Sequence, residues 1–305
     1  MAWVRWVLAL AVCLASCGCG KPGGEAVDAA EGGSPGGSGD SIRIVAHSPA
    51  VGVALREMGL DRFVVARHRH DVVLERALPV SGDLAGMDYE TVLRAGPTHV
   101  LTESGRAGPP TALVEMAVEH GWVLRDYRTL GIDDVRAMVE DLERIFGGEM
   151  DDSGRAAVAA FRAGVVERRD ARRWDGRVLL LYGATPPAAL GPGSVHHELL
   201  ARCGGVSAFA EGGAFIEMHA EDVARLAPDG IVLIEPRSMG EAPGARSGPE
   251  VLARLGSIGR LEIPAVRTGR VARIDDPLAD IPSMSLSGFA EELAAILDGW
   301  AASGG

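Results

Sequence analysis

Basic side chains are scarce in this 305-residue chain: 30 Lys and Arg stand against 42 Asp and Glu, a formal net charge of −12. Nucleic-acid binding needs a basic face to displace counterions, so it is excluded as the main activity. Adhesion to anionic lipid through a polybasic patch is excluded on the same ground. Aromatic residues make up only 5% of the chain, which leaves few rings to line a ligand site. The four cysteines, Cys13, Cys17, Cys19 and Cys203, supply no disulfide framework. Cys203 stands alone in the body and reads as a small buried hydrophobe. The chain also lacks a G-x-S-x-G elbow, a phosphate-cradling GxxxxGK[ST] loop, HExxH and paired CxxC. Gly193-Ser194 belongs to a Gly-Pro-Gly-Ser turn that caps a helix beginning near Val195. Gly183 to Pro187, after a strand, lacks a dinucleotide fingerprint. With no nucleophile–base pairing in view, the chain is expected not to be an enzyme.

The amino terminus carries an address. Arg5 precedes an apolar run from Trp6 to Ala15, about ten residues, too short for the roughly 20 that span a bilayer and suited to a signal peptide. Leu14-Ala15-Ser16-Cys17 resembles the bacterial lipobox, so residues 1–16 read as a lipoprotein signal and Cys17 as the acylated residue. Residues 17–41 are rich in Gly, Ser, Pro, Ala and acidic side chains and read as a flexible tether. Multiple acylation would anchor the mature protein stably.

Strand and helix patterns then alternate. Ile42 to Ala46, Phe63 to Ala66, Thr98 to Thr102 and Trp122 to Leu124 read as strands. Val51 to Gly59, Asp88 to Ala95 (with Tyr89, Val92 and Leu93 on one face) and Pro110 to Gly121 read as helices. The rhythm returns with strands at Arg177–Tyr182, Gly230–Ile234 and Arg270–Ile274. Its helices fall at Ser194–Cys203, Ala220–Leu226, Pro249–Gly256 and Ser287–Trp300. This alternation predicts an α/β fold of two lobes with mainly parallel sheets, 42–130 and 176–303. Between them, 131–175 is a helical linker: an amphipathic helix over Ile132–Phe146, then a single long α-helix over Asp151–Trp174. Acidic residues start that helix, and Arg168, Arg169, Arg172 and Arg173 end it. At about 1.5 Å per residue it would extend roughly 36 Å, a rigid strut between lobes. A cleft between two α/β lobes makes a small-ligand site.

The densest chemical segment is Arg67-His68-Arg69-His70-Asp71, at the carboxyl end of a predicted strand. Its two His, two Arg and one Asp read either as a site for an anion or metal chelate or as a solvated charged loop. His196 and His197 diverge on a helix and do not form a joint ligand pair. His219, near Phe215 and Glu217, is a candidate for cleft contact.

Several segments together resemble a known family. They are Arg43-Ile44-Val45 through Ser48-Pro49-Ala50, Leu78-Pro79-Val80, Gly86-Met87-Asp88-Tyr89-Glu90 and Gly96-Pro97-Thr98-His99 in the first lobe. The second adds Gly191 to Ser194, Glu198-Leu199-Leu200, Gly204-Gly205, Glu221 and Leu226 to Val232. The chain resembles the periplasmic solute-binding proteins of ABC importers for cobalamin, ferric siderophores and heme, and most of all the cobalamin binders. The resemblance implies a helical-backbone binding fold and capture of a metal chelate, cobalamin or another corrinoid ahead of a ferric siderophore, with heme third. It implies delivery to ABC permease subunits from the periplasmic side of the envelope. It places Glu90 and Glu221, one per lobe, at the permease-docking positions, and puts Phe215 and Asp276 at the ligand. The first-lobe positions where cobalamin binders carry aromatics hold Arg69, Asp83 or Leu84, and Glu103. Asp83 also stands where heme binders place a tyrosine, and Ala294 or Ala295 replaces the cysteine partner of Cys203. His68 or His70 is the expected metal ligand if heme or iron is bound. The chelate is cargo, with no resident cofactor, and a monomer is expected. The competing readings are an exported sensor or sequestering protein and, behind it, a lipid-anchored hydrolase.

Overall fold

A computed structural model describes residues 41–104, 108–165, 174–184 and 186–303. The expected signal, Cys17 and the tether to residue 40 lie outside the described residues, as does the arginine run at 168–173. The first lobe holds β1 (Ile44–His47), β2 (Val64–His68), β3 (Val80–Asp83), β4 (Gly86–Met87), β5 (His99–Thr102) and β6 (Val123–Asp126), in the order β4-β3-β2-β1-β5-β6. The strands are parallel except for the β3–β4 hairpin. Helices α1 (Pro49–Glu57), α2 (Tyr89–Ala95) and α3 (Thr111–His120) connect them. Pro49 opens α1, where its missing N–H costs nothing, and the Ser48 hydroxyl caps it by accepting the Ala50 N–H at 3.1 Å. Asp88 caps α2, and Gly96, at φ +54°, ends it. Val92 is buried and Tyr89 packs beside it, but Leu93, expected on the same face, is exposed.

The linking helices are α4 (Ile132–Phe146) and α5 (Asp152–Gly164). The described α5 has 13 residues, shorter than the 24 expected from the sequence, and Trp174 is not helical. The second lobe holds β7 (Arg177–Ala184), β8 (Pro187–Leu190), β9 (Val206–Ser207), β10 (Phe215–Glu217), β11 (Gly230–Ile234) and β12 (Val271–Ile274). Their order is β10-β8-β7-β11-β12, with β9 beside β7. β7, β11 and β12 are parallel, while β8 and β10 extend the sheet antiparallel. Helices α6 (Val195–Arg202), α7 (Ala220–Leu226), α8 (Pro249–Arg254), α9 (Pro264–Arg267) and α10 (Leu286–Ala302) complete it. Every residue of β11 is buried, which is why its sequence is a continuous apolar run. No described helix is long and apolar enough to cross a membrane.

The two sheets share apolar packing. A single cluster runs from Ile44, Val51 and Met58 in the first lobe through Leu142, Phe146 and Phe161 of the linking helices to Val232, Ile274 and Leu293 in the second. Polar ties reinforce it: Glu198 of α6 accepts the Ile132 N–H at 2.9 Å, placing a carboxylate at the amino end of α4. Where α1 meets α5, Gly154 lies so close that a Cβ on it would stand 2.2 Å from the Met58 carbonyl oxygen. Gly154→Ala should therefore cost about 1–3 kcal/mol of stability, read as a lower urea midpoint at constant slope. An unchanged midpoint would show that the helices can separate freely.

Candidate functional site

The carboxyl ends of both parallel sheets open onto one junction. Residues 48–50 follow β1 directly, and the Ala50 carbonyl accepts the hydroxyl of Ser283, on the loop after β12, at 2.6 Å. On the first-lobe side, β1 and β2 end in His47 and His68, and His70 follows. The His47 and His68 rings lie edge to face at 5.3 Å, and the His68 and His70 rings are 5.5 Å apart. Gly82 admits this arrangement, since a Cβ there would stand 2.8 Å from His47 Cε1.

Hydrogen-bond accounting separates the roles of these imidazoles. The Ser81 hydroxyl donates to the Arg67 carbonyl at 3.0 Å and lies 3.0 Å from His47 Nδ1. Its one proton being used, it accepts from Nδ1–H, which assigns the tautomer and leaves the His47 Nε2 lone pair unprotonated. His68 differs: it is 2% exposed, its Nδ1 accepts the His70 backbone N–H at 3.2 Å, and its ring also bonds the Asp83 backbone. Burial, then the neighbouring imidazoles, push His68 down to about 4. Burial lowers His47 and His70 as well, so all three rings are neutral at pH 7, the protonation state that ligates metals. Sequence reasoning passed over His47 because it sits in an ordinary strand-to-helix turn. Its separation from His68 along the chain hid a neighbour relation that only the sheet creates.

The other expected first-lobe residues are engaged locally. Arg69 is exposed and pairs with Asp83 at 3.1 Å, a contact worth little in water. Asp83 also accepts the Ala85 N–H at 2.9 Å, which is the leading cause of its lowered pKa. Asp71 is buried and shapes the turn after β2, accepting the Val73 and Leu74 N–H groups at 3.0 and 2.7 Å. Glu103 joins three segments, accepting from the Ser48 hydroxyl at 2.7 Å and from the Thr129 hydroxyl.

From the second lobe, Tyr182, near the end of β7, donates its hydroxyl to Asp280 at 3.0 Å, and its ring meets Phe215 edge-on at 6.4 Å. Burial raises Asp280 above the usual carboxylate range. Arg237 follows β11; its backbone N–H bonds the Asp275 carbonyl at 3.1 Å. Its side-chain Nε and Nη1 are buried and make no hydrogen bond among the described residues. Such groups carry a desolvation penalty until an acceptor meets them. Asp276 is exposed and turns back to the Leu278 N–H at 2.8 Å. His219 is exposed at the start of α7, its backbone N–H bonded to Asp222 at 2.9 Å. No group of three or more His, Cys, Asp or Glu among the described residues is placed to hold a metal ion by itself.

Solved structures share this architecture. The periplasmic heme-binding protein RhuT from Roseiflexus sp. RS-1 superimposes with a TM-score of 0.64 at 19% identity, covering 86% of this chain and all (100%) of that one. The periplasmic vitamin B12 binding protein BtuF of Vibrio cholerae gives 0.61 at 17% identity, over 85% of this chain and 97% of its own. A periplasmic heme-binding protein from Pseudomonas aeruginosa gives 0.60 at 17% identity, over 84% and 92%. The chain has the periplasmic solute-binding protein fold. No family model matches the sequence, and no curated protein does.

Within this solute-binding fold, Glu90 lies in the first turn of α2, exposed and paired with Arg94 at 2.6 Å. Glu221 lies exposed in the first turn of α7. His196 is buried; its Nε2 donates to the Ala279 carbonyl at 2.7 Å, and burial takes it down to about 4. It thus points away from any joint site with half-buried His197. Cys203 is buried against the Ala290 carbonyl, where its hydrophobic character placed it. Because His68 and His196 are held neutral, their stabilising effect is complete above about pH 6.5 and is lost as pH falls toward 4. In an NMR titration, both imidazoles should keep neutral chemical shifts to about pH 5. Titration of His68 near pH 6.5 would show that its ring is not sealed.

Proposed function

We propose that this chain is the solute-binding component of an ABC importer, taking a metal tetrapyrrole into the junction between its lobes. The carrying observation is His47, whose Nε2 lone pair is left open by the chain of donors from Nδ1 through Ser81 to the Arg67 carbonyl. A metal chelate with a vacant axial position needs one such nitrogen. His70 is the second candidate; His68, with both nitrogens engaged, serves as the packed support behind them. Arg237 would receive an acidic group at the rim of the cargo, relieving its under-bonded guanidinium. Heme fits these two features best, because its axial positions are open and its propionates are anionic. A corrinoid ranks second and a ferric siderophore third, which moves heme from last to first in the order drawn from sequence. The likeness to heme and vitamin B12 binders supports the class of cargo. Neighbours of this kind bind and hand over solutes, which favours transport over catalysis. Acylation at Cys17 would hold the protein at the envelope outside the cytoplasm, and Glu90 and Glu221 would register the lobes against two permease subunits.

Incubation with hemin, cyanocobalamin or a ferric siderophore, followed by desalting and a visible spectrum, tests the cargo. Hemin should be retained at near-equal molarity. His47→Ala should abolish the ligand-field shift, and Ser81→Ala should weaken binding by about 10–100-fold by freeing the ring. Washing out of all three chromophores would reject the tetrapyrrole reading. Separately, Glu90→Ala combined with Glu221→Ala should stop uptake in cells while leaving binding intact; normal uptake by that double variant would reject the docking assignment.

A further inference from the structure

The sheet of the second lobe ends in a buried ionic joint. Glu235 follows β11 and Asp275 follows β12, and the Glu235 N–H donates to the Ile274 carbonyl at 3.0 Å, so the two carboxylates leave neighbouring strand ends. Between them stands Arg273 of β12, only 5% exposed, which pairs with Asp275 at 3.1 Å and with Glu235 at 2.9 Å. Arg254 of α8 holds Glu235 from the other side at 3.0 Å. A buried guanidinium is costly unless its charge is met, so this joint needs both of its carboxylates.

The loop that leaves β11 is fastened to this joint at both feet. At one foot the Arg237 N–H donates to the Asp275 carbonyl at 3.1 Å. At the other the Gly244 N–H donates to the Asp275 carboxylate at 2.7 Å, on the same Oδ2 that takes the Arg273 guanidinium. Gly244 fits there because it has no side chain: a Cβ on it would stand 2.4 Å from Arg273 Nη1. Just beyond, the Arg246 carbonyl accepts the Arg273 N–H at 2.8 Å, and Ser247 bridges to Ala272 of β12. Residues 238–243, between the feet, are exposed, and Glu241 accepts the Ser238 N–H at 3.0 Å. Asp275, itself 3% exposed, thus closes loop 237–244 with its main chain at one end and its side chain at the other.

The residue at the first foot is Arg237, whose Nε and Nη1 make no hydrogen bond among the described residues. Glu292, the carboxylate within its electrostatic reach, is already paired with Arg246 at 3.3 Å. We propose that Asp275 is the positioning residue for Arg237: by tying both feet of loop 237–244 to the strand ends, it holds the guanidinium ready for an acidic group of the cargo. The assignment rests on the reading of Arg237 as the partner of that acidic group. Asp275 acts only through Arg237, because its buried carboxylate is spent on Gly244 and Arg273. An arginine on an unfastened loop has to be ordered at every binding event, which weakens binding of an anionic cargo. The same cargo without its acidic group loses nothing, since it does not call on Arg237.

Titration of the full chain with hemin and with hemin dimethyl ester, whose two carboxylates are blocked, followed in the Soret band, tests this. The wild type should prefer hemin, and Arg237→Ala should erase the preference. Asp275→Ala should cut it by about 3–10-fold while the affinity for the ester stays put. Asp275→Asn, whose amide oxygen still accepts the Gly244 N–H, should restore it. A preference that Asp275→Ala leaves whole, or a loss that falls equally on hemin and ester, overturns the assignment. Absence of any preference in the wild type, or its survival in Arg237→Ala, instead rejects the reading of Arg237, and the assignment falls with it. If Asp275→Ala fails to fold, Gly244→Ala decides, since its methyl group parts the second foot from the joint with every charge kept. A reduced preference then supports the positioning role, and an undiminished one rejects it.

Discussion

The close packing of α1 governs this molecule. Its buried face joins the first sheet to the core that continues through the linking helices into the second sheet. Its approach to α5 is set by the absence of a side chain at Gly154. Its first residues follow β1, and its Ala50 carbonyl accepts the Ser283 hydroxyl of the second lobe. Apolar burial thus fixes how two sheets, each with its own strand order, present their carboxyl ends to a common junction.

Polar chemistry is layered onto that junction by full accounting of donors and acceptors. Ser48 caps α1 and donates to Glu103, which also takes the Thr129 hydroxyl. Ser81 bridges Arg67 and His47 and thereby sets the histidine tautomer. Such chains order side chains at the strand ends. They leave the His47 Nε2 lone pair unprotonated, and in the other lobe the Arg237 guanidinium is under-bonded. A solute able to satisfy both would bridge the lobes.

Much of the fold was legible in the residues. The strand Gly230–Ile234 and the helix Ala220–Leu226 fall where the sequence placed them, because a five-residue apolar run and a capped amphipathic turn are local signals. β8 was not legible: Pro187-Ala188-Ala189-Leu190 has little strand character and exists by pairing with β7 and β10. The site was read in part. The segment around His68 and His70 announced itself by composition, yet it is His68 that is sealed and the unremarked His47 that keeps an open nitrogen.

By itself the sequence determined the alternation of strands and helices, the two lobes and their helical linker, since hydrophobic periodicity and capping act over a few residues. It also determined the acidic balance of charge. Only the tertiary structure decided which imidazole is sealed, which carboxylates are consumed by turns and caps, and that Ser283 bonds Ala50 from the other lobe. Those outcomes depend on burial and on partners dozens to hundreds of residues away, and neither is encoded in local spacing.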